Sequence, residues 1–306
     1  MDVSIIIVNY NTKKLLADCL KSIYEQTKEL EFEVIVSDNG SQDGSIEMLK
    51  SDFPKVILVE NNANLGFGAA NNRGLSKANG KYIYYLNSDT ILLNNAVKFF
   101  FDYWENSVEK EKIGALGTNL LDINKNISCT WGYFPNYKNY ASNLVHTIYG
   151  FTKLTMQHIF FGKELPHSST QVVHEKKLGK VDCVSGASLF LLNDEHAFFD
   201  ENIFMYCEEI LLEWYLTKKG KKIFMIDGPE IIHLEGASSK KNQSDIIHER
   251  GSFSHIQNAI SRIYYFRKTG ESSLKIILLK ILTLVLWLNP YIFPNIRKYI
   301  KNMLSR

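Results

Sequence analysis

Short apolar runs alternate with polar, turn-forming stretches along the first ninety residues. Val3–Val8 reads V-S-I-I-I-V, and its β-branched content predicts a buried strand. It stops at Asn9-Tyr10-Asn11-Thr12, where Thr12 is placed to cap a helix reaching about Thr27. Leu15, Leu16, Cys19, Leu20 and Ile23 share one face of that helix. Phe32–Ser37 predicts a second strand, and the turn-rich loop 38–45 lets Asp43 or Ser45 start a short helix through Lys50. Val56–Val59 predicts a third strand, followed by the loop Asn61–Phe67 and a helix from Gly68 to Asn79 that Gly80 closes. Tyr82–Leu86 is the fourth strand, and it ends abruptly in Asn87-Ser88-Asp89-Thr90.

Strands alternating with helices imply βαβ units and a parallel sheet. Right-handed crossovers then put every strand's C-terminal end on one rim, which gathers Asn9 and Asn11, Asp38, Asn61 and Asn64, and Asp89. Open α/β sheets bind ligands at that rim, so the pattern points to a nucleotide site. Asp89 is the leading functional candidate; a plain turn or N-cap aspartate is its alternative. Residues 122–180 are aromatic and polar without clean periodicity, and read as an insertion that lines an acceptor site or covers the sheet. Order returns with strands at Val181–Val184 and Ser188–Leu192, a helix from Glu208 to Lys219 closed by Gly220, and strands at Lys222–Ile226 and Ile231–Leu234.

Composition narrows the class. The chain has 306 residues, 45% hydrophobic and 22% charged, enough for a large core and unlike a disordered or polytopic protein. Its net charge of +2 is uneven: from Ser261 onward nine Lys/Arg face only Glu271, leaving −6 for the rest. The basic residues cluster in an apolar tail, which argues against nucleic-acid binding. Four scattered cysteines without metal-ligand spacing, and an N-terminal apolar run too short for a signal peptide, lead to the expectation of a cytoplasmic chain.

Seven stretches occur in a telling order: V-N-Y-N at 8–11, S-D-N-G-S-Q-D-G-S at 37–45, N-L-G-F-G-A-A-N-N-R-G at 64–74, L-N-S-D-T at 86–90, S-G-A at 185–187, F-M-Y-C-E-E at 204–209 and H-L-E-G-A-S at 233–238. Together they resemble the inverting family 2 glycosyltransferases, and the rhamnosyltransferase-like branch most of all. The resemblance implies a GT-A (Rossmann-like) α/β fold with a mainly parallel sheet over residues 1–240. Its nucleotide-sugar half spans about 1–120 and its acceptor half about 121–240, with a helical extension over 241–306. The implied activity is transfer of a sugar, rhamnose from a dTDP donor by preference or a hexose from a UDP donor, to a saccharide or lipid-linked acceptor in cell-surface polysaccharide or O-antigen synthesis.

The resemblance also implies roles. Asp89 matches the last carboxylate of the family's metal motif, with Asn87 where the first Asp usually stands, and His233 matches a histidine near the metal; the ion is Mg²⁺ or Mn²⁺. Asp38 is expected at the base or ribose, Asn9 and Asn11 along the base pocket, and Asn64, Gly66, Gly68, Asn87 and Ser88 around the donor. Arg73 reaches the diphosphate or else is a solvated helix residue. The base is expected from the pair Glu208-Glu209, Glu209 first and Glu208 as its competitor.

Leu274–Leu288 is apolar, broken by Lys275 and Lys280 and stopped by Asn289-Pro290 short of a bilayer span. With Trp287 and the flanking Arg267, Lys268, Arg297, Lys298 and Lys301 it suits an interfacial helix at the inner face of the plasma membrane; a core or homodimer helix is the alternative. Ser238–Ser254 reads as a lid, with Arg250 and Arg262 as phosphate contacts. Three other readings stand beside these. A dinucleotide oxidoreductase needs a third glycine where Asn71 stands, and a nucleotidyltransferase needs a basic glycine loop after the first strand. A non-catalytic sugar-nucleotide binder fits the Asn87 and Glu209 departures.

Overall fold

A computed structural model describes residues 1–128, 130–161, 175–234, 252–289 and 293–305. The described chain falls into two units. The first begins with β1 (Val3–Asn9), α1 (Lys13–Gln26), β2 (Phe32–Asp38), α2 (Ser45–Asp52), β3 (Ile57–Glu60), α3 (Phe67–Leu75) and β4 (Tyr82–Asn87). It continues with β5 (Thr90–Leu92), α4 (Ala96–Asn106), β6 (Ile113–Thr118) and β7 (Trp131–Gly132). After α5 (Tyr137–Phe161), which belongs to the second unit, come β8 (Gly179–Val181), β9 (Cys183–Val184), β10 (Ser188–Leu192), α6 (Glu208–Lys218), β11 (Lys222–Ile226) and β12 (Ile231–His233).

Eight strands form one sheet in the order β3-β2-β1-β4-β10-β6-β11-β8. The first four are parallel, as the alternation of strands and helices predicts. β10 runs antiparallel between β4 and β6. Period-two alternation sends Val3, Ile5 and Ile7 of β1 into one core with α1 and α4, and Ile6 into the other with Phe199 and α6. Both faces are covered, which is why the central strands read as continuous apolar runs. Tyr84 and Tyr85 are fully buried, and a buried hydroxyl without a partner costs about 1–3 kcal/mol. Each is satisfied: the Tyr84 hydroxyl meets Ser188 Oγ at 2.9 Å, and that of Tyr85 donates to the Ala197 carbonyl at 2.9 Å.

Two local expectations change. Thr12 precedes α1 but makes no side-chain cap; its hydroxyl donates to Asn9 Oδ1 at 2.6 Å and meets Ser88 Oγ at 3.0 Å. Asp43 reaches across from the second loop to accept the Lys13 N–H at 2.8 Å instead. α3 stops at Leu75, five residues before Gly80, so Gly80 does not close it. Gly80 is there for proximity: a Cβ would stand 2.4 Å from Ser4 N, and its own N–H donates to Ser4 Oγ at 2.8 Å.

The second unit takes α5 together with α7 (Phe253–Lys268), α8 (Ser273–Trp287), α9 (Phe293–Ile296) and α10 (Ile300–Ser305). Residues 135–161 therefore group with the C-terminal helices and not with the acceptor half expected to hold them. α5 and α8 run side by side: Tyr137 Oη donates to the Lys275 carbonyl at 3.4 Å near one end, and Asn289 Nδ2 to Thr155 Oγ1 at 2.8 Å near the other. Arg262 lies over the Tyr140 ring, 5.7 Å from its centroid. The lid expected over 238–254 lies almost wholly outside the described residues, as do Arg250 and the end of the 233–238 motif.

Candidate functional site

The rim of the parallel sheet is tied together by one chain of hydrogen bonds. Asp38, at the end of β2, accepts from Asn9 Nδ2 at 2.7 Å, from Gly40 N at 3.0 Å and from Ser41 N at 2.8 Å. Asn9 passes the chain to Thr12, and Thr12 to Ser88 on the turn after β4. Asp38 is 0% exposed with both oxygens engaged, and it organises the loop from within. Asn11 is exposed and accepts the Gln42 N–H at 2.7 Å from a left-handed backbone (φ 54°).

The loop before α3 is built by close approach. Gly66 has φ 88°, and a Cβ on it would stand 2.3 Å from the Phe204 carbonyl oxygen; Phe67 N donates to that same oxygen at 2.8 Å. Asn64 Oδ1 accepts from Gly66 N at 3.1 Å, and Gly68 lies under Phe199, where a Cβ would meet Phe199 Cβ at 2.9 Å. Asn72 then holds both backbone groups of Phe199, donating to its carbonyl and accepting its N–H at 2.9 Å each. Arg73 sits exposed in the last turn of α3, about 9 Å of helix rise beyond Phe67.

β5 pairs antiparallel with β12, with His233 opposite Thr90. This hairpin-like ladder sets His233 Nε2 3.3 Å from Asp89 Oδ1 and 3.4 Å from Asn87 Nδ2. Leu234 N donates to the Asp89 carbonyl at 2.9 Å and fixes the turn. Asn87 Oδ1 is buried without a hydrogen-bond partner among the described residues. A carboxylate and an imidazole meet beside an amide whose oxygen is orphaned, and these donor types fit a divalent cation of the Mn²⁺ or Mg²⁺ type. No cluster of three His, Cys, Asp or Glu side chains placed to hold a metal ion occurs among the described residues. Beneath the turn, burial pushes the Cys19 thiol up to about 12, and its sulfur lies 3.7 Å from the Asn87 carbonyl as a donor.

The other carboxylates stand at the start of α6. Tyr206 and Cys207 both adopt φ 68°, a left-handed conformation that costs non-glycine residues energy, immediately before Glu208. Asn87 N donates to the Ala187 carbonyl at 3.1 Å, and the neighbouring Gly186 lies against Glu209, its Cβ position 3.4 Å from Glu209 Cβ and 3.7 Å from Cδ. The turn 185–187 thus connects the Asp89 cluster to Glu209. Glu208 is only 4% exposed; burial first, then the charge of Glu209, holds its carboxyl well above the ordinary value of 4.5. Glu213, which the sequence reading passed over, is 0% exposed on the same helix, and burial likewise raises it. Its signal was a lone acid on the apolar side of a helix, among Leu211, Leu212 and Leu216.

Comparison with known proteins adds independent findings. A family model described as "Glycosyl transferase family 2" matches residues 4–160. The uncharacterized glycosyltransferase YfnE of Bacillus subtilis is 39% identical over 100 residues, 32% of this chain and 25% of that protein. The poly(ribitol-phosphate) beta-glucosyltransferase of Bacillus spizizenii is 31% identical over 133 residues, 42% of this chain and 21% of its own. The matched stretch is thus about a quarter or less of either relative's length. Among solved structures, the mannosyltransferase PcManGT from Pyrobaculum calidifontis, in complex with GDP-Man and Mn²⁺, superposes with a TM-score of 0.54 at 16% identity. That match covers 99% of this chain and 75% of the other. It shows the fold, GT-A, as the mixed sheet and its flanking helices indicate.

The raised carboxyl of Glu208 has a consequence for stability. Its folded pKa exceeds its unfolded one, so the stability it confers is complete below about pH 4.5 and is lost as pH rises through the folded value. Glu208→Gln removes that loss. Thermal melting at pH 5 and pH 8 is expected to show the variant gaining on the wild type at pH 8, by roughly 1.5 °C per kcal/mol recovered.

Proposed function

The chain belongs to glycosyl transferase family 2, and on that premise we propose that it moves a sugar from a nucleoside-diphosphate donor to a saccharide or lipid-linked acceptor with inversion. The observation that carries this reading is the link from Asp89, His233 and Asn87 through Ala187 and Gly186 to Glu209. Leaving-group and base chemistry need to act on opposite sides of one anomeric carbon, and these groups lie on one connected rim.

Asp89, His233 and Asn87 Oδ1 are the residues that would hold a divalent cation, which supplies Lewis-acid stabilisation to a departing diphosphate. The acceptor hydroxyl oxygen attacks the anomeric carbon while the bond to the diphosphate oxygen breaks, and the nucleoside diphosphate leaves with the electron pair. Glu209 takes the hydroxyl proton. Burial disfavours the charged form of Glu208, which leaves Glu209, partly exposed at the helix start, as the base. dTDP-rhamnose is the donor that the motif resemblance favours; a UDP-hexose is its competitor. The products fit cell-surface polysaccharide synthesis.

The second unit supports a membrane surface as the place of action. Leu274, Ile277, Leu278, Ile281, Val285 and Leu288 form an exposed, wholly aliphatic strip on α8, and α5 exposes Tyr149, Met156, Phe160 and Phe161. Described residues of this unit carry ten Lys/Arg and a single acid, Glu271. An apolar strip within so cationic a unit suits an anionic bilayer, at about 1 kcal/mol for each cation near the surface. No described helix is long and apolar enough to cross a membrane. Trp287, expected as an interfacial anchor, is 3% exposed and packs inward.

Two outcomes test these readings. Glu209→Gln is expected to lower dTDP release from dTDP-rhamnose, or UDP release from UDP-hexoses, by about 10²-fold or more while donor binding persists; near-normal turnover contradicts the base assignment. Replacing Ile277, Ile281 and Val285 with serine is expected to abolish co-sedimentation with phosphatidylglycerol vesicles. Wild-type binding to those vesicles should itself weaken in high salt. Retained binding by the triple variant, or a dimer with no vesicle binding by the wild type, contradicts the membrane reading.

A further inference from the structure

Glu213 lies one helical turn beyond Glu209 on α6, so the two side chains share a face. It is completely buried, and its Oε1 accepts the Val184 N–H at 3.0 Å. Val184 is buried, at 3% exposure. It packs over Gly117 of β6, where a Cβ would stand 2.7–3.0 Å from all three of its side-chain carbons. The next residue, Ser185, donates its N–H to the Thr130 carbonyl at 2.8 Å, and its Oγ accepts from Ala187 N at 3.2 Å. Gly186, between them, faces the Glu209 side chain, whose Cβ, Cγ and Cδ lie 3.4–3.7 Å from where a Gly186 Cβ would stand. A closed circuit results: helix α6 to Glu213, Glu213 to Val184, Val184 through Ser185 to Gly186, and Gly186 back to Glu209 on α6.

We propose that Glu213 is a positioning residue for Glu209, its carboxyl pinning β9 so that the turn 185–187 fixes where the Glu209 side chain stands. The inference rests on the reading of Glu209 as the base. The chemistry of the pin is that of a neutral acid. Glu213 Oε2 is buried without a hydrogen-bond partner among the described residues, a position that an ionised oxygen tolerates poorly. Burial, against the Val184 N–H bond and with a smaller contribution from the charge of Glu209, favours the protonated form. A neutral Glu213 also adds no second negative charge beside the base. An amide would serve the same purpose, since its oxygen accepts the Val184 N–H as the carboxyl does.

Glu213→Gln, Glu213→Leu and Glu213→Ala are to be compared with Glu209→Gln for kcat, donor KM and melting temperature, in the full-length protein. The inference expects Glu213→Gln within about threefold of wild type in kcat. It expects the Leu variant, which keeps the volume filled, and the Ala variant to lose at least tenfold in kcat with donor KM within about twofold. It is overturned if the folded Leu and Ala variants keep wild-type kcat, if kcat and donor affinity fall together, or if Glu213→Gln is as poor as Glu213→Leu. Failure of both Leu and Ala variants to fold also overturns it, since the residue would then hold the fold and not the base. Normal turnover by Glu209→Gln instead sinks the base reading itself. An inactive Glu209→Gln beside a normal Glu213→Leu sinks only the positioning role.

Discussion

The contact between Asp89 and His233 is the constraint on which the rest of the site depends. A buried carboxylate at the end of a parallel strand needs a partner, and in this chain the partner arrives through the short antiparallel ladder of β5 and β12. That ladder aligns the imidazole with Asp89 and leaves the Asn87 amide oxygen without a protein partner beside them. An oxygen-rich, half-satisfied cluster is costly unless a ligand completes it. The sheet and the hydrogen-bond chain Asp38–Asn9–Thr12–Ser88 serve to hold that cluster at a fixed place on the rim.

A second constraint joins the cluster to the carboxylates of α6. β10 runs antiparallel beside β4, so the turn that precedes it meets the residue that ends β4. Gly186 in that turn faces the Glu209 side chain, where a Cβ would stand at ordinary contact distance, 3.4–3.7 Å. The loop leading to α6 is held from the other side by Asn72 on Phe199 and by Gly66 and Phe67 on the Phe204 carbonyl. Burial then separates the carboxyls: Glu208 and Glu213 are enclosed and favour the neutral form, and Glu209 is partly exposed.

Much of this was legible in the sequence where one interaction dominates. The first four strands are buried on both faces, so V-S-I-I-I-V and Y-I-Y-Y-L announce themselves without any partner being known. Asp89 is singled out by its place at a strand end and the Glu208–Glu209 pair by the motif resemblance. Choices between competing partners were not legible. Thr12 looks like a cap, yet its hydroxyl is drawn to Asn9 and Ser88; Asp38 looks like a ligand group, yet backbone N–H groups claim it. α5 was unreadable because its aromatic residues occupy both its buried and its exposed faces, Phe151 on one and Tyr149 and Phe160 on the other, which erases the period of a surface helix. Glu213 was hidden because only the fold shows that β9 passes over it.

The central claim is that Asp89, His233 and Asn87 form a cation-dependent site for a nucleoside diphosphate. Isothermal titration of dTDP, UDP and GDP into the wild type and into Asp89→Ala, with Mn²⁺ and then with chelator, tests it most directly. The account predicts that one nucleotide binds the wild type at least tenfold more tightly with the metal than without it, and that Asp89→Ala erases the difference. Binding of equal strength with and without metal, unchanged in Asp89→Ala, would contradict it.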